Sequence, residues 1–281
     1  MLPPQTPPAP DSPEFSPLAI GEDLTPLPEY KAAGTTEIGF DGLLAEPLRL
    51  REDLASGCGG QTWPAGMVLG RHMLRYHRED LGEARILELG AGGGLVGLAV
   101  ARGCKVGTNP LFVTDQLEMH ALMEHNIVLN NLEGKVNAAI LNWLVLSYVP
   151  LVPCHGSRCP SPRGLASHNV VDLHADMQLP AYLLRGEPLP PVIVDLKPNV
   201  ILAADCVYFE PAFPLLLATL SDLLTLCPEA TTYFCFKKRR RADMQFLKKA
   251  QKMFKVTEIA DEERPIFSRE GLFLYTFQAS T

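Results

Sequence analysis

The feature that most limits how this chain can fold is an alternation that begins at Arg85. Short apolar runs of strand character are each followed by a longer stretch with apolar residues at helical spacing. "RILEL" leads to "LVGLAVARG", "LFVTD" to "LEMHALMEHNIVLNN", and "VNAAIL" follows. After a break, "PNVILAAD" leads to "EPAFPLLLATLSDLLTL", and "TTYFCFKK" to "DMQFLKKAQKMF". This alternation predicts an α/β fold, a mostly parallel sheet covered by helices on both faces. The last two segments, "KVTEIA" and "LFLYTFQA", read as strands with no helix between them, so one strand is expected to run antiparallel. Upstream, "TTEIGFDG" and "PLRLRED" read as a short hairpin, and "WPAGMVLGRHMLRYH" as a helix.

Two stretches fall outside this pattern. Residues 1–28 carry nine prolines and little that could form a core, which predicts a disordered tail. Residues 144–190 carry seven prolines and no periodicity, and are expected to be a disordered insertion in a single domain spanning 29–281. No apolar run reaches the roughly 18 to 20 residues that span a bilayer, and the first residues lack the parts of a signal peptide. Seven cysteines, several inside apolar segments, fit buried free thiols and a cytoplasmic location. A formal charge of −7 disfavours nucleic acid and favours a basic protein partner. A monomer is expected. Cys154, Cys159, His168 and His174 have the outline of a zinc site, but the middle spacing is short and the ββα pattern is missing, so no metal is expected.

"RILELGAGGGLVGLAV" places Gly90, Gly92, Gly93, Gly94 and Gly97 between a strand and a helix. Glycines there let the backbone turn tightly and approach a ligand beside the positive end of a helix. Gly92, Gly94 and Gly97 satisfy the dinucleotide pattern G-x-G-x-x-G, but that register needs the strand to continue to Ala91, whereas the apolar run ends at Leu89. The other register is E-x-G-x-G-x-G, from Glu88 through Gly90 and Gly92 to Gly94. An acid before the first glycine repels a pyrophosphate and suits a cationic ligand such as S-adenosylmethionine, which is the favoured reading. Asp115, closing "LFVTD", can accept hydrogen bonds from both ribose hydroxyls; capping the helix that starts at Leu117 is its alternative role.

With these residues in view, the chain resembles the seven-strand methyltransferases of the non-histone protein-lysine type, most of all the fungal enzymes that methylate translation elongation factor 1A. The resemblance covers about residues 30–143 and 191–281. It rests on "TWPAG", "LELGAGGGLVGLA", "VTDQ", "EHNIVLNN", "LNW", "ILAADCVYFEPAFPLL" and "FKKRRRADMQF". It implies a Rossmann-like seven-stranded fold and S-adenosylmethionine as cofactor. It places cofactor contacts on Trp63, Gly90, Ala91, Gly92, Asp115, Trp143 and Ala204, with Glu88 added from the glycine-loop register. It also implies a protein substrate, elongation factor 1A being the first candidate. Trp143 follows the third strand of the alternation, where an indole can stack on an adenine. Ala204 is small enough for the backbone to come close to a ligand.

"ILAADCVYFEPAFPLL" ends its apolar run at Asp205, with Tyr208 just beyond, and the family's D-x-x-Y motif matches both. A lysine is mostly protonated at neutral pH and must present a neutral amine to be methylated. Asp205 is expected to attract the incoming ammonium and accept its N–H bonds, and Tyr208 to wall the channel with its ring facing the cation. The competing role for Asp205 is to cap the helix beginning near Pro211. "KKRRR", residues 237–241, reads as a loop between a strand and a helix; in the resembling enzymes it lies on the active-site side, where it can meet the substrate.

Overall fold

The computed structural model describes residues 34–53, 60–143 and 188–280. The proline-rich tail, nearly all of the expected insertion, and the cysteine–histidine outline lie outside the described residues.

Strands β1 (Gly34–Ile38) and β2 (Leu48–Glu52) pair antiparallel as a hairpin, with Ile38 opposite Leu48. Helix α1 (Pro64–Tyr76) follows. The alternating part then builds β3 (Ile86–Leu89), α2 (Leu95–Gly103), β4 (Leu111–Asp115), α3 (Leu117–Leu129) and β5 (Val136–Ile140). It continues with α4 (Pro191–Leu196), β6 (Val200–Ala204), α5 (Phe213–Leu226), β7 (Thr231–Lys237), α6 (Arg241–Met253) and β8 (Phe254–Glu258). A four-residue helix α7 (Arg264–Phe267) and the closing strand β9 (Leu272–Ala279) complete the chain. The strand order is β5-β4-β3-β6-β7-β9-β8, with β9 antiparallel to both neighbours. The mostly parallel seven-stranded sheet with one reversed strand is therefore present.

Alternation along the central strand explains how both faces are covered. Ile86 joins one core with α1, α2 and α3, while Leu87 and Leu89 join the other with α4, α5 and α6. All four residues of β3 are buried, so its sequence is apolar throughout except for Glu88.

Two helical segments differ from the sequence expectation. Between β8 and β9 the chain forms α7 and a 3₁₀ turn (Ser268–Glu270) instead of running directly from strand to strand. Pro265 fits the first turn of that helix, where no backbone donor is needed, and the turn buries Phe267. The second is α4, whose β-branched "PVIVD" run carries no helical signature. Pro190 and Pro191 start it, and the Pro190 carbonyl accepts N–H bonds from Ile193 and Val194, at 2.9 and 3.0 Å. The described residues thus include 188–190, which the sequence placed in the insertion.

The hairpin is tied to the domain by two asparagines, Asn126 in α3 and Asn130 just after its end. Asn130 accepts from the Arg49 amide (3.0 Å) and donates to the Arg49 carbonyl (2.7 Å). Asn126 does the same at Arg51 (2.8 and 3.3 Å) and also donates to the Gly93 carbonyl (2.9 Å). Side-chain amides here replace a neighbouring strand along the edge of β2.

Candidate active site

The connection after β3 runs to β4 on one side, while β6 lies on its other side. This is the topological switch point at which open α/β sheets hold their ligands. The register brings three carboxyl ends level, since Leu89 pairs with Thr114 and with Ala203. Gly90, Asp115 and Ala204 therefore come to one rim because of how the strands align. They line a cleft of about 270 Å³, which also takes in the Leu50–Glu52 end of the hairpin, Trp63, Trp143, Asp205, Tyr208 and Arg239. That volume is near the lower end for small-molecule sites. Every residue expected to hold a cofactor or act on a substrate lies on this cleft.

The glycine loop is shaped by close approach. Gly90 has φ +64°, and a Cβ there would sit 2.8 Å from the Cys206 sulfur. Gly97, inside α2, packs so tightly that a Cβ would come within 2.7 Å of both Val113 and the Glu88 carboxylate. Glu88 is fully buried, and its carboxylate accepts the Gly97 and Val96 amides at 2.7 and 3.3 Å. Burial pushes its pKa up to about 8. At neutral pH it is largely protonated, so the charge argument that singled it out does not describe its state here. It holds the first turn of α2 in place from beneath.

Asp115 is half-buried, with one carboxylate oxygen taking the Gly92 amide (2.7 Å) and the other the Gln116 amide (2.7 Å). Burial raises its pKa despite those bonds. The cap position of α3 is Gln116, with no side-chain cap, so Asp115 is not the cap of that helix. Each oxygen keeps a second acceptor position. The tryptophans flank the site differently. Trp143 is buried, with its indole 3.8 Å from where a Gly90 Cβ would be. Trp63 stands at the N-terminus of α1, placed by Thr62, whose amide and hydroxyl both donate to Glu52 at 2.9 Å. Glu52 was not a sequence candidate; nothing marks it but its place at the end of β2.

The acceptor end differs from expectation in one important respect. Asp205 is buried and has φ +57°, a left-handed backbone that Asp tolerates better than most residues. Its carboxylate is taken two-fold by Arg239, Nη1 to Oδ1 at 2.9 Å and Nη2 to Oδ2 at 2.8 Å, and Oδ1 also accepts the Lys237 amide at 3.2 Å. It is neither a helix cap nor an uncompensated charge awaiting an ammonium. Arg239 in turn lies 5.2 Å from the Trp63 ring centroid. Arg240 donates to the Tyr208 carbonyl (2.5 Å), and buried Asp243 accepts the amides of Arg239 and Arg240, both at 2.7 Å. The basic run is thus fastened over Asp205 and Tyr208, and Tyr208 stays 43% exposed.

A family model described as lysine methyltransferase matches residues 43–148 and 166–253, more than half of the chain. The chain belongs to this lysine methyltransferase family. The curated relatives of this methyltransferase include protein-lysine N-methyltransferase EFM6 of Saccharomyces cerevisiae, 31% identical over 255 residues, which is 86% of this chain and 89% of the yeast protein. EFM2 of the same yeast is 35% identical over 113 residues, 34% of this chain and 27% of the relative. Among solved structures, the S-adenosylhomocysteine-bound methyltransferase PaMTH1 of Podospora anserina is 9% identical with a TM-score of 0.42, over 79% of this chain and 81% of that one.

As a member of this family the methyltransferase uses S-adenosylmethionine. The residues present fit that cofactor: Asp115 keeps two acceptor positions for a diol, Trp143 offers an indole face, and the glycine loop leaves its backbone bare. Among the described residues no cluster could hold a metal ion, and no helix is long and apolar enough to cross a membrane.

Proposed function

We propose that this methyltransferase methylates the side-chain amine of a lysine in a protein substrate, with translation elongation factor 1A as the first candidate. The observation that carries this reading is the placing of Asp205 and Tyr208 on the same cleft as the glycine loop and Asp115. The yeast relative similar over most of the chain is itself named a protein-lysine N-methyltransferase. The choice of elongation factor rests on the sequence motifs alone.

When bound, the cofactor supplies an electrophilic methyl group on a sulfonium. The chain's own residues do the rest. Asp115 orients the ribose, and Gly90, Ala91 and Gly92 let the main chain lie against the ligand. Trp143, buried beside Gly90, keeps water from the adenosyl part. Ala204, with no side chain beyond Cβ, leaves room between the cofactor end of the cleft and Asp205. At that end, the Oδ2 position left over by Arg239 accepts one N–H of the lysine and so fixes where the nitrogen points. Tyr208, exposed at the mouth, forms one wall of the entry.

The test is to add the purified protein and labelled S-adenosylmethionine to a lysate of cells lacking it. Labelled bands are then identified by mass spectrometry. Label on a lysine of a discrete protein supports the proposal, and elongation factor 1A among the products supports the finer choice. Label confined to RNA or to small metabolites overturns it.

A further inference from the structure

We propose that Arg239 sets the charge of the amine this site accepts, making the end of β6 a receptor for a neutral lysine side chain. The inference rests on the lysine reading above and assigns a positioning residue within it.

Asp205 Oδ1 already receives Arg239 and the Lys237 amide, and Oδ2 receives Arg239, so a single position remains on a carboxylate whose charge is compensated. The guanidinium is held on two sides, by the carboxylate and by the Trp63 ring, which keeps it from swinging away as a loose surface arginine would. An uncompensated carboxylate would pair with a lysine ammonium, raise its pKa and tie up the lone pair that must attack. A compensated one offers a hydrogen bond without that pull.

The other acids that line the cleft are each held by donors of the chain itself. Just before the helix that follows β7, Arg240 is paired with Asp243 of that helix. From the hairpin, Glu52 holds Thr36 and Thr62, and Arg51 adds a positive charge to the lining. From the glycine-loop side, Asp115 is bound to two amides, and Glu88 is largely protonated at neutral pH. Cys206 and Cys235 are buried thiols whose burial keeps them uncharged. Lys237 adds a positive side chain at the end of β7.

In the step itself, the lone pair of the neutral amine forms the new N–C bond. The methyl–sulfur bond breaks and its electron pair stays on sulfur. The nitrogen leaves the step positively charged and then sheds one proton to water. Arg239 acts before this, by disfavouring the protonated substrate.

The experiment uses n-butylamine as the lysine side-chain probe. Its binding to the cofactor-loaded protein is followed by ligand-observed NMR from pH 7 to 9, alongside turnover on the substrate found above. Wild type is expected to bind more tightly as pH rises, by about tenfold per unit, because the neutral fraction of the amine grows at that rate below its pKa. Glu88 titrates in the same window and its ionisation would draw in the ammonium form, so the climb is also expected to persist in Glu88→Gln. Arg239→Gln should lose the climb, and its turnover should fall about tenfold or more at pH 7 and recover toward pH 9. Arg239→Lys should keep the wild-type profile. The double variant Asp205→Asn/Arg239→Met buries no charge and should restore the climb, which guards against a fold defect in the single variant.

Wild-type binding equally tight at pH 7 and pH 9 overturns the proposal. So does a rise in turnover at pH 7 for Arg239→Gln, which would make the arginine a competitor displaced by the lysine. A climb in butylamine affinity without methyl transfer to any protein would sink the lysine reading and leave only the preference for a neutral amine standing.

Discussion

Asp115 and Glu88 are both acids at strand positions next to the glycine loop, yet they do different work. Asp115→Ala removes the acceptor of the Gly92 amide together with the positions available to a ribose. With charge-assisted hydrogen bonds at about 1.5 to 3 kcal/mol each, S-adenosylmethionine affinity should drop tenfold or more, measured by calorimetry on folded protein. Unchanged affinity in a folded variant removes Asp115 from the site. Glu88 makes a prediction about pH. Unfolded, it titrates in the ordinary carboxylate range, whereas in the fold it keeps its proton to about pH 8. The folded state binds more protons between those values, so stability is highest below the unfolded pKa and is lost as pH rises through about 8. Asp115 is raised too and acts with the same sign. Thermal scans without cofactor should show the melting temperature falling from pH 5 to 8.5, and Glu88→Gln should flatten that slope. The sequence showed both acids, but it could not show which backbone amides they hold. Apart from the Gln116 amide beside Asp115, those amides belong to the loop and the first turn of α2, and they meet the acids only once the chain has doubled back. Arg239 was harder still. In "KKRRR" five cations look alike, and only the pairing of Ala204 with Cys235 decides which of them reaches Asp205.

At the scale of elements, strands, helices and the hairpin were legible because burial writes period 2 and period 3.6 into the apolar residues. The two missed helices were short and opened by proline, with too few turns to show a period. "EHNIVLNN" stood out in the sequence as a motif without a mechanism, and the structure supplies one. Asn126→Ala leaves the Arg51 amide, the Arg51 carbonyl and the Gly93 carbonyl without this partner at a largely buried seam. Each unmet group costs about 1 to 3 kcal/mol if water cannot reach it. Because β2 lines the cleft and Gly93 sits in the loop, the variant should both melt earlier and bind S-adenosylmethionine more weakly. Loss of thermal stability with unchanged affinity at a temperature where the protein is folded would separate the hairpin from the site.

For the whole molecule, the open question of domain organisation is residues 144–187. We propose that they are dispensable for folding and for cofactor binding, since loop length enters closure free energy only logarithmically. A variant joining Trp143 to Pro188 through a short Gly-Ser link should keep the circular-dichroism melt and the S-adenosylmethionine affinity of the full chain. The family match resumes at residue 166, so a second variant retaining 166–187 is the control. If only that one folds, the proposal is wrong. The strand order gives this long separation a further meaning during synthesis. Strand β3 pairs with β4 on one side and with β6 on the other, but 59 residues lie between Ile140 and Val200. At a translation rate of about 5 to 20 residues per second, the β6-facing edge of β3 waits roughly 3 to 12 seconds for its partner after β5 is made. Through that interval the nascent chain carries an apolar, unpaired edge beside a half-built cleft, the kind of surface that invites wrong pairing. The ribosome-bound intermediate, more than the finished enzyme, is where this fold needs protection.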